Sequence, residues 1–155
     1  MHPMTRRGPI EELDCPCAAF VSHSRSADFD IGFPARADRL HAMRRALRDW
    51  LQSLSIGSVQ ASDVILAVTE ACANSIEHGH RGDGGLVRVL GERWQGCLHI
   101  VVADSGRWKF DSDSETSSRG RGMQIIRRVA AELTIEAHRD GTILHLAVPI
   151  ATSEV

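Results

Sequence analysis

The stretch 66–79 constrains this chain more than any other segment, because its pattern predicts an amphipathic helix with an unusual polar side. Residues four apart on a helix are surface neighbours, so Glu70, Asn74 and His78 would form a ladder. Glu77 would lie beside that ladder, and the opposite side is apolar, with Ile65, Val68, Cys72 and Ile76. A carboxylate and an amide at this spacing can hold one hydrated ion or one water. The alternative is an ordinary solvated helix face, since charge on amphipathic helices is usually exposed.

Length and composition indicate one soluble domain. The chain has 155 residues, 43% hydrophobic and 25% charged, which suffices for a core without disulfide bonds. Its 18 basic and 20 acidic side chains give a formal charge of -2, so the overall balance favours neither direct nucleic-acid binding nor an anionic membrane surface. No signal peptide or membrane-spanning segment is predicted, and we expect a cytoplasmic protein.

The cysteines and histidines do not predict a metal site. Cys15, Cys17, Cys72 and Cys97 do not fall into two C-x-x-C pairs, so structural zinc is not expected. The Cys15–Cys17 pair is interpreted as two reduced thiols, with a redox or metal pair as the alternative. His78 and His80 lie two apart across a predicted helix end, a spacing that completes no closed ligand set.

Pattern and turn signals divide the chain into a leader and one domain. Residues 1–24 have no usable period and are interpreted as a flexible leader, and the domain is assigned to residues 25–155. Alternation over 27–33 predicts an edge strand that ends at Pro34. A helix with helical apolar spacing is predicted from about Asp38 to Leu54. Its outer side carries three arginines, Arg44, Arg45 and Arg48.

The rest of the chain predicts one more long helix, two hairpins and a third helix. Ser62 and Asp63 can cap the helix that contains the ladder, which would run to about His78. The predicted hairpin strands are 86–93 with 97–104, and 133–138 with 142–148. Between the hairpins lie a polar loop over 105–120 and a helix from Gly122 to about Ala131. This order predicts an α+β two-layer sandwich, with helices on one face of a mixed, mostly antiparallel sheet.

Two further segments carry groups suited to a nucleotide. Asp104 ends an apolar strand, where its carboxylate can accept a hydrogen bond from an exocyclic amine, and Gly106 lets backbone approach a flat ligand. An ordinary strand-to-turn exit is the alternative. The second segment is predicted to join a loop to the N-terminus of a helix, and helix N-termini commonly bind phosphate. Its residues are Arg119, Gly120, Arg121, Gly122 and Met123. Taken alone, such a run is more often an ordinary helix-entry loop.

As a set, these residues resemble the GHKL or Bergerat-type ATP-binding fold, and within it the RsbW-like anti-sigma-factor serine-protein kinases. The resemblance covers roughly Phe33 to Ile150. Its motifs occur in order: Glu70-x-x-x-Asn74 with His78 is similar to the N box, Asp104-x-Gly106 to the first glycine box, Gly120-x-Gly122 to the second, and Gly141-Thr142 to the terminal strand motif.

The resemblance implies ATP and Mg²⁺ as cofactors and gives each motif a role. Asn74 would supply an oxygen to the metal, and Glu70 would be the general base. Asp104 would bind the adenine amino group, with Thr142 beside the adenine. Gly120 and Gly122 would wrap the phosphates, and the segment from Arg107 to Arg119 would be a lid. The first glycine box departs from the family pattern, because Trp108 stands where a second glycine is common.

The implied function is a serine-protein kinase and anti-sigma factor. It would sequester a sigma factor and phosphorylate a STAS-type anti-anti-sigma protein, with a homodimer possible by resemblance. The arginines of the first helix are the candidate partner-binding face, or simply a solvated helix side. Two alternatives remain: a nucleotide-binding partner switch without phosphotransfer, and an α+β interaction domain without nucleotide.

Overall fold

A computed structural model describes residues 27–80, 85–94, 96–105, 118–138 and 141–150. Within those ranges, side chains are not described for residues 78–80, 118–120 and 138. The predicted leader and most of the predicted lid lie outside the described residues.

The described residues form one five-stranded sheet with the strand order β1-β2-β3-β5-β4. The strands are β1 (Phe29–Pro34), β2 (Leu86–Trp94), β3 (Cys97–Asp104), β4 (Glu132–His138) and β5 (Gly141–Pro149). All four neighbouring pairs are antiparallel. The predicted hairpins are confirmed: β2 pairs with β3 from Trp94 opposite Cys97, and β4 pairs with β5 from His138 opposite Gly141. Pro34 belongs to β1 as its last residue, on an edge strand where a missing N–H is tolerated.

In the described part of the chain, three α-helices pack on one face of this sheet, which confirms the predicted two-layer α+β architecture. They are α1 (Leu40–Ser53), α2 (Ser58–Asn74) and α3 (Ser118–Val129). A 3₁₀ turn, Ala37–Arg39, precedes α1, and a π-helical turn, Ser75–His80, continues α2. The apolar sides of the helices and the facing strand residues share one core, which includes Met43, Leu47, Leu51, Val64, Val68, Ile126, Val89, Ile100 and Leu144.

The helix starts differ from the sequence prediction. The N-terminus of α2 lies at Ser58, with Gly57 as N-cap, so the predicted cap at Ser62 and Asp63 is wrong. The first turn is held by tertiary contacts instead: Ala61 is buried, and the Gln60 side-chain amide donates to the Pro149 carbonyl at 2.6 Å. Likewise, α3 begins at Ser118 and not at Gly122. Within the described ranges, no helix has the length and apolar character needed to cross a bilayer.

Candidate nucleotide site

The C-terminal part of α2 carries the first two candidate residues, Glu70 and Asn74. They are four positions apart in the sequence, so both project on the same side of the helix. Glu70 is half-buried, whereas Asn74 is only 4% exposed. A solvated helix face would leave both in water. The burial of the Asn74 amide therefore distinguishes this side of α2 from an ordinary polar surface.

The first turns of α3 lie directly against Glu70. A Cβ atom built on Gly122 would approach the Glu70 carboxylate oxygen Oε1 to 2.7 Å, closer than real Cβ contacts come. Any larger residue at this position would therefore require the Glu70 carboxylate to move from where it stands. The predicted N box and the second predicted glycine box therefore meet in the structure, although they are about 50 residues apart in sequence.

Met123 contacts the second ladder residue. The Asn74 amide nitrogen Nδ2 donates to the Met123 sulfur at 3.7 Å, and Met123 is half-buried against the core. A thioether is a weak acceptor, so this bond orients the amide more than it stabilises the fold. With its nitrogen engaged, the amide keeps its oxygen for another partner.

Asp104 and Thr142 are cross-strand neighbours at the ends of β3 and β5. Asp104 is the last residue of β3 and faces Thr142 in the ladder, and both are buried on the helix side of the sheet. Gly141 sits where any Cβ would collide with the Asp104 carbonyl oxygen, so the two strand ends approach unusually closely. The structure thereby brings the predicted adenine-binding pair together.

Cys72 links the Asp104 end of the sheet to α2. Burial raises the pKa of the Cys72 thiol, and the nearby negative charge of Asp104 raises it further. The thiol is therefore protonated at neutral pH and lies within electrostatic range of the carboxylate. The sequence placed Cys72 only on the apolar side of its helix.

Ser75 is a buried polar residue beside the candidate site, and its sequence position gave no reason to single it out. It begins the π-helical turn next to Asn74, and this turn contacts both β3 and β5. The Ser75 hydroxyl is fully buried and has no hydrogen-bond partner among the residues that the structure describes. A buried orphan hydroxyl commonly marks a water or ligand position, and π-helical turns are frequent at functional sites. No pattern in the sequence signals either feature.

The remaining predicted site residues are placed only in part. Gly106 lies outside the described residues, and so does Trp108. His78 lies in the π-helical turn, and Arg119 and Gly120 lie in α3, with no side chains described. Arg121 is exposed.

The second glycine motif is helical in the structure, which corrects the predicted loop. Because α3 begins at Ser118, its free N–H groups belong to residues 118–121 and not to a turn starting at Gly122. A positive helix end still lies beside these residues, one turn earlier than predicted.

The polar side chains of the candidate site could bind a hard cation only together with oxygen atoms from a bound ligand. Among the described residues, no group of three or more His, Cys, Asp or Glu side chains could hold a metal ion by itself. The Asn74 amide oxygen and the Glu70 carboxylate are oxygen donors of the type that Mg²⁺ prefers. Magnesium commonly combines one or two such donors with phosphate oxygens and water. The residues present therefore fit a metal that arrives with a phosphate ligand.

A separate cavity of about 190 Å³ lies at the other end of α2. It is lined by Gln60, Asp63, Leu66, Ile125, Arg128, Val129 and Val148. None of the predicted site residues lines it, so the proposed chemistry does not belong there.

Comparison with known proteins identifies relatives of this fold. The family model of the histidine kinase-like ATPase domain matches residues 33–148. The serine-protein kinase RsbW of Bacillus cereus (strain AH820) is 25% identical over 96 residues, which is 62% of this chain and 59% of that protein. The chain thus spans about three fifths of the length of the curated relatives it matches.

Two solved structures have the same fold. The RsbU and RsbW domains of Rv1364c from Mycobacterium tuberculosis superpose with a TM-score of 0.64 at 21% identity, over 81% of this chain and 33% of that chain. The SiaB–SiaC complex from Pseudomonas aeruginosa gives a TM-score of 0.62 at 17% identity, over 90% of this chain and 99% of the matched chain. At these identities the similarity concerns the fold.

Proposed function

The chain belongs to the histidine kinase-like ATPase domain family, and from this premise we propose that it is an ATP- and Mg²⁺-dependent serine-protein kinase that works as an anti-sigma factor. The observation that carries the proposal is the meeting of three distant segments near the C-terminal end of α2. Glu70 lies against Gly122, and Asn74 contacts Met123. Cys72 is close enough to Asp104 for the carboxylate charge to raise the pKa of its thiol.

The buried polar groups support an adenine nucleotide as the ligand. In this proposal the Asp104 carboxylate accepts a hydrogen bond from the adenine amino group, with Thr142 beside it and Ser75 offering a further hydroxyl. The Asn74 oxygen holds Mg²⁺, which neutralises charge on the phosphates. The phosphates lie at the N-terminal end of α3, where the free N–H groups of residues 118–121 include that of Gly120, while Gly122 packs behind them on Glu70. Arg119 and Arg121 add positive charge there. His78 and Gly106 complete the proposed set by family resemblance.

The proposed reaction transfers the γ-phosphoryl group of ATP to a serine. The Glu70 carboxylate takes the proton of the serine hydroxyl as the serine oxygen bonds to the γ-phosphorus. The bond between that phosphorus and the oxygen bridging to the β-phosphate breaks, and ADP leaves with the electron pair. Gly122 leaves space for the carboxylate in its observed position, which supports the positioning that this step requires.

The proposed partners follow the family resemblance: a sigma factor that the protein sequesters, and a STAS-type anti-anti-sigma protein that it phosphorylates. Similarity to the serine-protein kinase RsbW supports the kinase role. A basic strip on α1 is the proposed partner surface. Arg45 and Arg48 are exposed, and neither forms a salt bridge with the part of the chain that the structure describes. Unpaired surface charge is available to an acidic partner surface.

The experiment is a transfer assay with ATP labelled in its γ-phosphate and purified STAS-type proteins as acceptors. We expect Mg²⁺-dependent phosphoserine on an acceptor, and loss of that product with Glu70→Gln. Glu77→Gln is the matched control, because Glu77 is exposed about two turns beyond Glu70 and has no role in the proposed step.

The outcomes separate the proposal from its alternatives. Saturable ATP binding without any phosphoserine would favour a nucleotide-dependent partner switch that transfers no phosphate. Absence of ATP binding would favour an interaction domain without nucleotide. Unchanged transfer by the Glu70→Gln variant would remove the base assignment alone.

A further inference from the structure

The sheet has a second face, opposite the helices, whose centre is also buried. Side chains alternate along each strand, and those on this face form a cluster separate from the main core. Five of them are between 0% and 1% exposed: Leu90, His99, Val101, His145 and Ala147. The three α-helices contribute their buried side chains only to the main core. We call this surface the helix-free face.

The two histidines at the centre of the helix-free face are shielded from water. The rings of His99 and His145 lie 5.7 Å apart between centroids, and Trp94 lies 6.0 Å from His99. Burial lowers the pKa of His99 to about 4 and that of His145 to about 3. Side chains that stand on an uncovered sheet face keep their tips in water. A cover therefore lies over this face.

The point where the chain enters the domain identifies the cover. Ala27, the first described residue, packs against Leu90 and Val101 on the helix-free face. At the other end, Ile150 packs against the main core on the opposite face. The long stretch 106–117 connects to α3, which also lies on the helix side. Of these three described positions, only Ala27 lies on the helix-free face.

We propose that residues 1–26 dock across the helix-free face as an intramolecular cover. The segment contains an apolar run close to its end, Ala18-Ala19-Phe20-Val21. Extended chain covers about 3.3 Å per residue, so Phe20 reaches roughly 23 Å from Ala27. Strands lie about 4.8 Å apart, so that reach spans the width of the buried patch.

The proposed cover has a consequence for binding. Displacing it would expose an apolar patch of the sheet together with two histidines. Any protein that binds this face must therefore compete with residues 1–26. The inference does not depend on nucleotide binding or phosphotransfer, because none of the residues that carry it belongs to the candidate nucleotide site.

Histidine footprinting of the full chain with diethyl pyrocarbonate tests the proposal. Three proteins are compared: the unaltered chain, Phe20→Asp/Val21→Asp, and the matched control Ser22→Asp/Ser24→Asp, which adds the same charge at polar positions of the segment. His41, exposed on α1, is the internal reference in each. In the Phe20→Asp/Val21→Asp variant, we expect His99 and His145 to be modified at least about tenfold faster than in the unaltered chain, because the cover opens more often. The control variant should react at the rate of the unaltered chain.

Several results would overturn the proposal. These are rapid modification of His99 and His145 in the unaltered chain, equal rates in all three proteins, or protection that disappears as a dimer dissociates on dilution. The last result would assign the cover to a second copy of the chain.

A second measurement needs no substitution. Cys97 is half-buried and shares the strand side of His99, whereas Cys72 is fully buried in the main core. A short bis-maleimide should join Cys97 to Cys15 or Cys17 within one monomer and leave Cys72 unmodified. Modification of Cys97 without any such cross-link would contradict docking of the segment.

Discussion

The Asn74 amide nitrogen donates to the Met123 sulfur across 3.7 Å, which joins the end of α2 to the beginning of α3. This contact fixes which atom of the amide faces away from α3. If the amide oxygen is a metal ligand, as proposed, then Met123 is a positioning residue for metal-bound nucleotide. The same geometry makes the role of Met123 testable separately from that of Asn74.

Met123→Leu should weaken ATP binding only when Mg²⁺ is present. Leucine preserves the packing volume but cannot accept the hydrogen bond, so the amide loses its orientation. A net loss of about 1 kcal/mol corresponds to about fivefold in the dissociation constant. Calorimetric titration with ATP, with and without Mg²⁺, measures the dissociation constant under each condition. Met43→Leu, at a fully buried position in α1, is the control. Equal weakening under both conditions would argue for a merely structural role.

Gly122→Ala should damage phosphotransfer more than ATP binding. The added methyl group would displace the Glu70 carboxylate, with which it would overlap at 2.7 Å. A displaced catalytic group can cost about 100-fold in rate. We expect kcat to fall on that scale while the ATP dissociation constant changes little. Gly32→Ala is the matched control, because its Cβ would meet only an ordinary contact at 3.9 Å. Full activity of Gly122→Ala would contradict the assigned position of the base.

Charge reversal on α1 should weaken recognition of the acceptor protein. We expect Arg45→Glu/Arg48→Glu to lower kcat/KM for a STAS-type acceptor mainly through KM, with an effect that shrinks as salt is added. The control variant is Arg127→Glu/Arg128→Glu, which makes the same change of charge at exposed positions of α3 and should affect the acceptor KM less. A larger defect in the α3 variant would move the partner surface to that helix.

The buried histidines should make folding stability depend on pH. The unfolded chain binds protons on these imidazoles below about pH 6.5, whereas the folded chain resists protonation down to about 4 at His99 and about 3 at His145. The free energy of unfolding should therefore fall as pH drops from 6.5 towards 4. The limit is about 1.4 kcal/mol per pH unit for each histidine.

Urea unfolding between pH 7.5 and 4.5 measures this dependence. His145→Gln should reduce the slope by about half, because one of the two groups is removed. His41→Gln, at an exposed position, should leave it unchanged. Stability that is flat over this range would mean that His99 and His145 are accessible to protons in the folded state.

Periodicity predicted most of the fold, because burial on one face imposes it locally. The apolar spacing of Met43, Leu47 and Leu51 predicted α1, and alternation around Val89 and Ile100 predicted the two strands of the central hairpin. Helix starts were predicted less well. Residues 118–122 include two glycines and no apolar residue, so the local sequence does not indicate a helix there. In the structure α3 nevertheless extends through this segment, in which Gly122 packs against Glu70.

The candidate site was predictable as motifs but not as contacts. Family resemblance singled out Glu70, Asn74 and Asp104, whereas the orphan hydroxyl of Ser75 depends on a π-helical turn that sequence patterns do not indicate. Alternation also assigned His99 to a face whose burial could not be foreseen, because strand periodicity does not reveal what covers a sheet.

Calorimetric titration of Mg²⁺-ATP into the unaltered chain and into Asp104→Asn tests the central claim most directly. The claim is that β3, α2 and α3 contribute to a single adenine nucleotide site. We predict saturable binding of ATP but not GTP to the unaltered chain. Asp104→Asn should weaken ATP binding by about 10- to 100-fold, since a hydrogen bond to a charged group contributes about 1.5–3 kcal/mol. Equal ATP affinity in the two proteins, or no saturable binding to the unaltered chain, would contradict the account.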